Sequence, residues 1–294
     1  MKNRVVATGL AQPEGPVCLA DGSIFLVEMD ESRECLTQIL DGGERRVIAR
    51  PGGRPTGLAV DAGGCFWVAG GPSNSLVQLS PDGRILKTIM GDDEGAFLFP
   101  NDLAFGPNGL LYMTDSGMRP GEFIQGMAIR PDFFTARYEG CVLEIDPTAG
   151  RVLRRLASRL RFANGIAFGP DGALYANESL TGSIYRLTPL DEHCRAEVFS
   201  NVLPETHSDR FVGPDGMAFD VGGRLYCTIY GLQQVAVVDR SGQVGQRLQT
   251  NGGLPTNVAF TPGTSAMLVT EVELGALEVL QAVDPGIPLH IPRT

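Results

Sequence analysis

No run of eighteen apolar residues occurs anywhere in this 294-residue chain, so no helix of bilayer length is expected. The first ten residues, Met1 to Leu10, lack the long apolar core of a secretory signal. Basic charge is also short. Lys and Arg total 24 against 34 Asp and Glu, and the net charge of −10 leaves no electrostatic footprint for nucleic acid or anionic lipid. The six cysteines (Cys18, Cys35, Cys65, Cys141, Cys194 and Cys227) form no CxxC pair. Several fall in expected strands, where a free cysteine acts as a small buried hydrophobe. The expectation is a reduced, cytoplasmic protein that binds neither nucleic acid nor membrane. There are only three histidines, and no GxSxG, so a Ser-His-Asp triad has no support. His207, in the connection between Asn201 and Gly213, is read as a solvated loop residue. Helical periodicity beyond two turns is missing as well.

Glycine (38) and proline (20) are plentiful, and their regular spacing argues for many short strands. Five apolar triplets recur: Leu58-Ala59-Val60, Leu103-Ala104-Phe105, Ile166-Ala167-Phe168, Met217-Ala218-Phe219 and Val258-Ala259-Phe260. A looser first copy is Val17-Cys18-Leu19. Triplet starts at 17, 58, 103, 166, 217 and 258 give periods that each hold several strands, the signature of a propeller. The fourth unit shows the pattern. Gly165 to Phe168 is a strand, Gly169-Pro170-Asp171-Gly172 a hairpin turn, and Ala173 to Asn177, Ser183 to Leu187 and Arg195 to Phe199 are further strands. The expected fold is all-β, one six-bladed β-propeller domain over residues 1–294. The last copy runs out of strand after Ala276 to Gln281. The N-terminal Val5 to Leu10 is unused, and it closes the ring as the outer strand of the last blade.

Two residues ahead of the triplets stand Thr56, Asn101, Asn164, Asp215 and Thr256, with Glu14 near the matching place in the first copy. In a propeller these six side chains ring the mouth of the central channel. Any one such residue could be a plain turn before a strand. Together, two carboxylates and two amide oxygens at one axial level suit a hard divalent cation. They leave coordination places for water or substrate. Calcium is the expected ion, with magnesium, manganese or zinc as alternatives. Outside the ring, Glu28, Asp115, Glu178 and Glu271 end the second strands, either as solvated strand ends or as orienting groups. Asp115 is the one placed toward substrate, because it precedes the longest insertion. That insertion, about residues 116–139, is expected to arch over the mouth as a lid.

Glu14-Gly15-Pro16-Val17, Pro100-Asn101-Asp102-Leu103-Ala104-Phe105, Asn164-Gly165-Ile166-Ala167-Phe168 and Pro214-Asp215-Gly216-Met217-Ala218-Phe219 carry a family likeness. Over nearly its full length the chain resembles the regucalcin/gluconolactonase family of six-bladed propeller lactonases. The resemblance implies one divalent metal bound by Glu14, Asn164 and Asp215. It places Asn101 beside the metal, as a ligand or a substrate contact, and makes Asp215 the general base. Sugar lactonases of that family often carry arginine two places before the asparagine of the Asn-Asp pair; here that place is Phe99. The insertion adds Phe123, Ile124, Phe133 and Phe134, so the mouth reads as more apolar than a sugar site, although the phenylalanines could simply pack the lid down.

The expected function is a metal-dependent lactonase or esterase acting on a small lactone, as a monomer or small homo-oligomer. Asp215 and Asn101 would be catalytic, and Asn101, Phe99, Asp115, Phe133 and Phe134 would contact substrate. The alternatives are a non-catalytic calcium- or ligand-binding propeller, and a strictosidine-synthase-like propeller enzyme.

Overall fold

The structure is a computed structural model that describes residues 2–125, 128–188, 190–204 and 210–294. Six four-stranded antiparallel sheets stand around a central axis. Blade one comprises Pro13–Cys18, Ile24–Glu28, Cys35–Ile39 and Arg45–Ala49. Blade two comprises Leu58–Val60, Phe66–Gly71, Ser75–Leu79 and Ile85–Ile89, and blade three Pro100–Phe105, Leu111–Asp115, Gly140–Asp146 and Arg151–Leu160. Blade four holds Ala163–Phe168, Leu174–Glu178, Ser183–Thr188 and Arg195–Asn201, and blade five Gly213–Phe219, Leu225–Tyr230, Gln234–Val238 and Val244–Gln249. Blade six takes Pro255–Phe260, Ala266–Glu271 and Ala276–Gln281 from the C-terminal part of the chain. Its fourth strand is Arg4–Ala7, paired antiparallel to Ala276–Gln281. The ring therefore closes as expected, through a shorter strand than Val5 to Leu10. Leu10 is buried beside it and donates its backbone N–H to Gly275 O at 2.9 Å.

Strand alternation builds the core. Successive side chains of a strand point to opposite faces, so each blade serves both neighbours. In blade three, Leu111 and Met113 pack toward blade two, and Tyr112 between them packs toward blade four. Six apolar clusters result, one for each pair of adjacent blades. A seventh cluster belongs to the insertion, which carries a one-turn helix at Pro120–Phe123 and a hairpin of Ile124–Gln125 with Ala128–Ile129. Among the described residues no helix is long and apolar enough to cross a membrane. All six cysteines are unpaired.

One local feature positions the site. The pairing of first and second strands slips by one residue in blades one, three, four, five and six, between Glu14 and Val17, Pro100 and Leu103, Ala163 and Ile166, Pro214 and Met217, and Pro255 and Asn257. Such a bulge inserts an extra residue and turns its side chain out of the ordinary alternation. The ring residues sit on these bulges, which lets Glu14, Asn101, Asn164 and Asp215 leave the blade faces and face the axis.

On the far side of the ring the channel holds a cavity of about 550 Å³, lined mainly by triplet residues and by the C-terminal segment 285–291. That segment straps the lower mouth. Val221 N donates to Pro285 O at 2.8 Å and Ile287 N to Phe219 O at 3.1 Å, on blade five. Ala62 N donates to Pro292 O at 2.8 Å, on blade two.

Candidate metal centre and active site

Glu14, Asn101, Asn164 and Asp215 are all buried at the upper end of the first strands. Their neighbours fix their orientation. The Asn101 amide donates to Ser116 Oγ at 2.9 Å, which donates to Ala163 O at 2.8 Å. One blade on, the Asn164 amide donates to Ser179 Oγ at 3.2 Å, and that hydroxyl donates to Pro214 O at 2.7 Å. Each NH₂ group is thus held by a serine of its own blade, and each serine hydroxyl ties that blade to the next. Asn164 Oδ1 is buried and meets no donor. Thr56 and Thr256 stitch the ring instead, donating to Pro100 O and Pro13 O at 2.9 Å each.

Two further residues belong to the centre. Asp102 and Asn257 occupy the place after the ring residue, where the other blades carry Gly15, Gly57, Gly165 and Gly216. Asn257 Nδ2 donates to Glu14 Oε2 at 2.9 Å and its Oδ1 accepts Val258 N at 2.8 Å. Asp102 accepts Leu103 N at 2.9 Å and Ile166 N at 3.2 Å. The only sequence signal was position: both break the glycine rule of the repeat. Gly216 shows why that rule exists. A Cβ there would stand 2.0 Å from Asn257 Cγ, so the first strands of blades five and six approach closely only because it is glycine.

The electrostatics of the centre are those of crowded acids. Burial, then Asp215 and Asp102, hold the Glu14 carboxyl well above the usual carboxylate range. Burial, then Asp102, does the same to Asp215, against hydrogen bonding from Asn164 and Glu14. Burial pushes Asp102 up to about 6. Among the described residues no three of His, Cys, Asp and Glu cluster as a metal group, so a cation here needs amide oxygens beside Glu14 and Asp215. The residues fit one. Two buried carboxylates face each other, neither in an ion pair with a cationic side chain among the described residues, and an orphaned amide oxygen lies beside them.

The second acidic set is not solvated. Glu28, Asp115, Glu178 and Glu271 are all buried, and each accepts backbone N–H groups from the segment entering its own blade. Glu28 holds Ala11 N at 2.8 Å, Glu178 holds Arg161 N, and Glu271 holds Leu254 N at 2.9 Å. Asp115 takes Leu98 N at 2.8 Å, Phe99 N at 3.0 Å and Gly117 N at 2.8 Å. Its carboxylate shapes the segment that carries Phe99, which is where the structure places it.

The segments entering the six blades, four of them clamped by these acids, carry the residues two before the ring: Gln12, Arg54, Phe99, Phe162, Gly213 and Leu254. Blades three and four make this wall aromatic. Phe99 and Phe162 meet edge to face at 5.9 Å, Phe123 of the insertion packs on Phe162 at 4.6 Å, and Phe133 reaches Phe211 at 5.8 Å. Phe134 is more exposed, under the Arg161 guanidinium at 5.0 Å. Blades one and two make the opposite wall polar, with Gln12 and Arg54. His207 lies outside the described residues, and His290 packs on Phe168 at the lower mouth.

Residues 90–273, more than half the chain, match the model of the SMP-30/gluconolactonase/LRE-like region. The chain belongs to this family. Along the sequence it is 26% identical over 247 residues to the gluconolactonase of Zymomonas mobilis, covering 77% of this chain and 67% of that one. It is 25% identical over 286 residues to the diisopropyl-fluorophosphatase of Loligo vulgaris, covering 90% and 87%. Against the strictosidine synthase-like 4 protein of Arabidopsis thaliana it is 29% identical over 180 residues, 60% of this chain. The chain spans less than half of that relative's length, 45%. A solved structure of a calcium-binding protein, regucalcin, from Agrobacterium tumefaciens superposes with a TM-score of 0.77 at 21% identity, covering 99% of this chain and 97% of the other. That likeness shows the six-bladed fold. The family match covers the strands bearing Asn101, Asn164 and Asp215 and stops short of Glu14.

Proposed function

We propose that this member of the family is a divalent-metal-dependent hydrolase of carboxylic esters, a lactonase opening a small lactone to a hydroxy acid. The observation that carries the reading is the buried, unpartnered Asn164 Oδ1 beside the facing carboxylates of Glu14 and Asp215. Glu14, Asn164 and Asp215 would hold the cation, with Asn101 at its side, and calcium is the ion such oxygens suit best. When bound, a divalent cation supplies Lewis-acid polarisation of a carbonyl and stabilises the charge growing on its oxygen.

The chain's own residues do the rest. Asp215, fixed at the ring beside the point of attack, takes the proton of the attacking water. Asn257 steadies Glu14 through Nδ2, and Ser116 and Ser179 keep the two asparagine amides turned to the ring. The aromatic wall of Phe99, Phe162 and Phe133 excludes water on one side and favours a lactone with an apolar body over a sugar lactone. The relatives named gluconolactonase and diisopropyl-fluorophosphatase support a hydrolase.

The test is turnover of a panel of alkyl, aryl and sugar lactones by calcium-loaded protein, by chelator-treated protein, and by Asp215→Ala. The reading expects turnover lost with chelator and with the substitution, and restored by calcium only in the native chain. Calcium binding without turnover of any lactone leaves the non-catalytic propeller. Turnover that ignores both chelator and Asp215→Ala removes the metal-lactonase reading.

A further inference from the structure

Arg54 stands two residues before the ring on the segment entering blade two, where blade three carries Phe99. Its side chain is partly buried, and no carboxylate among the described residues lies within ion-pair distance of it. One guanidinium nitrogen, Nη2, donates to the neutral amide oxygen of Gln12 at 2.9 Å, and Gln12 Nε2 in turn donates to Asp30 at 3.1 Å. The Arg54 Nε is buried and meets no acceptor among the described residues. A charge withdrawn from water is ordinarily paired and hydrogen-bonded, and a guanidinium without a direct ion pair has donors left for an incoming anion.

The fold holds Arg54 there deliberately. Blades one, three, four and six end their second strands in an acid; at the matching position blade two has Gly70 and blade five has Ile229. Without a carboxylate, Arg54 N donates to Gly70 O at 2.7 Å. Gly70 has φ +78°, and a Cβ on it would come within 1.9 Å of Arg54 O. The Arg54 guanidinium feels the Tyr230 phenol of blade five, then Asp30 and Glu31 beyond Gln12, then Glu14 within the ring, and Tyr230 itself feels Asp215. Arg54 therefore borders the same mouth as the axial acids.

We propose that Arg54, oriented by Gln12, is an anion subsite of the mouth, and that the substrate is a lactone bearing a free carboxylate. This deepens the lactonase reading and rests on it for the word lactone. The carboxylate accepts from the terminal guanidinium nitrogens of Arg54, Nη1 carrying no hydrogen bond to the described residues and Nη2 being the one that Gln12 orients. The ester carbonyl is then left for the axial ring, and the apolar body of the ring lies against Phe99 and Phe162.

The test compares 5-oxotetrahydrofuran-2-carboxylate with γ-valerolactone, which carries a methyl group in place of the carboxylate. Both are run on the calcium-loaded native protein, Arg54→Met and Arg54→Lys. Binding of tetrahydrofuran-2-carboxylate, which has no ester to hydrolyse, is measured in parallel by calorimetry. The native protein should favour the carboxylated lactone in kcat/KM by about tenfold or more, a charged hydrogen bond's worth of discrimination. Arg54→Met should abolish that preference through KM, and should weaken tetrahydrofuran-2-carboxylate about tenfold. Arg54→Lys should recover part of both, and it carries the comparison alone if Arg54→Met does not fold. Equal binding of tetrahydrofuran-2-carboxylate by the native protein and both variants overturns the subsite, whatever the turnover. So does an equal loss on both lactones in a folded variant. Arg54-dependent binding with no hydrolysis of any lactone keeps the anion subsite and removes the lactonase reading instead.

Discussion

Asn164 presents a buried amide oxygen to a ring whose other strong oxygen donors are the acids Glu14 and Asp215 and the amide of Asn101. At this scale charge decides the outcome. Asp215→Asn keeps the shape of the side chain and removes its charge, so calcium affinity by calorimetry should fall sharply. The kcat for a lactone should fall about 10²- to 10⁴-fold, the usual contribution of a positioned base. The acids also set a pH dependence. Asp102 is raised in the folded state to about 6, and Glu14 and Asp215 are raised as well. A carboxyl raised above its unfolded value binds its proton more tightly when folded. Its contribution is full below the unfolded value near 4 and is lost as pH rises through the folded one. Chelator-treated protein should therefore lose stability between about pH 4 and pH 6 and beyond, as urea titrations across that window would show. Calcium, competing with those protons, should raise the melting temperature more at pH 8 than at pH 5. The opposite order would mean that these carboxyls are not its ligands.

At the scale of the element, the bulge and the acid clamp work together. The bulge turns the ring residue toward the axis, and the acid at the end of the second strand ties down the backbone leading to it. Glu271 accepts Leu254 N at 2.9 Å, Glu273 N at 3.0 Å and Leu274 N at 2.7 Å, and is fully buried. Glu271→Ala would strand those donors away from water, for a loss of about 3 kcal/mol in the urea-extrapolated stability. Gly216→Ala tests the close approach of blades five and six. The new Cβ drives against Asn257, whose amide holds Glu14, so calcium binding should weaken although no ligand has changed. Unaltered calcium affinity in a folded Gly216→Ala protein would show that Asn257 does not steady Glu14.

At the scale of the molecule, the ring is held shut in two places. Arg4–Ala7 completes blade six, and the C-terminal segment crosses the lower mouth from blade five to blade two. Arg224 pairs with Asp284 at 2.7 Å and Thr294 hydrogen-bonds Asp61, so the strap is anchored at both ends. Ending the chain after Val283 removes these bonds together. Each is worth about 1 kcal/mol, and each kcal/mol moves the melting point of a protein this large by about 2–4 °C. A scanning calorimeter should see a drop of several degrees, while calcium affinity at the upper mouth stays close to that of the full chain.

What the sequence determined by itself was whatever repeats or is local. Six triplets, hairpin glycines and an unused N-terminal strand were enough for the closed ring, because alternation and turn chemistry act within a few residues. Glu14, Asn101, Asn164 and Asp215 were legible as one axial level because the repeat places them in register. Asp102 and Asn257 were not, since only the close approach of neighbouring strands brings Asn257 onto Glu14 from 243 residues away. The second acids could be read as solvated until the fold buried them on backbone amides. Arg54 and the strap at the lower mouth were equally silent. A single arginine and a short C-terminal segment break no pattern along the chain. Their meaning depends on which groups surround them once the ring has closed, and that is decided by packing between distant blades rather than by local sequence.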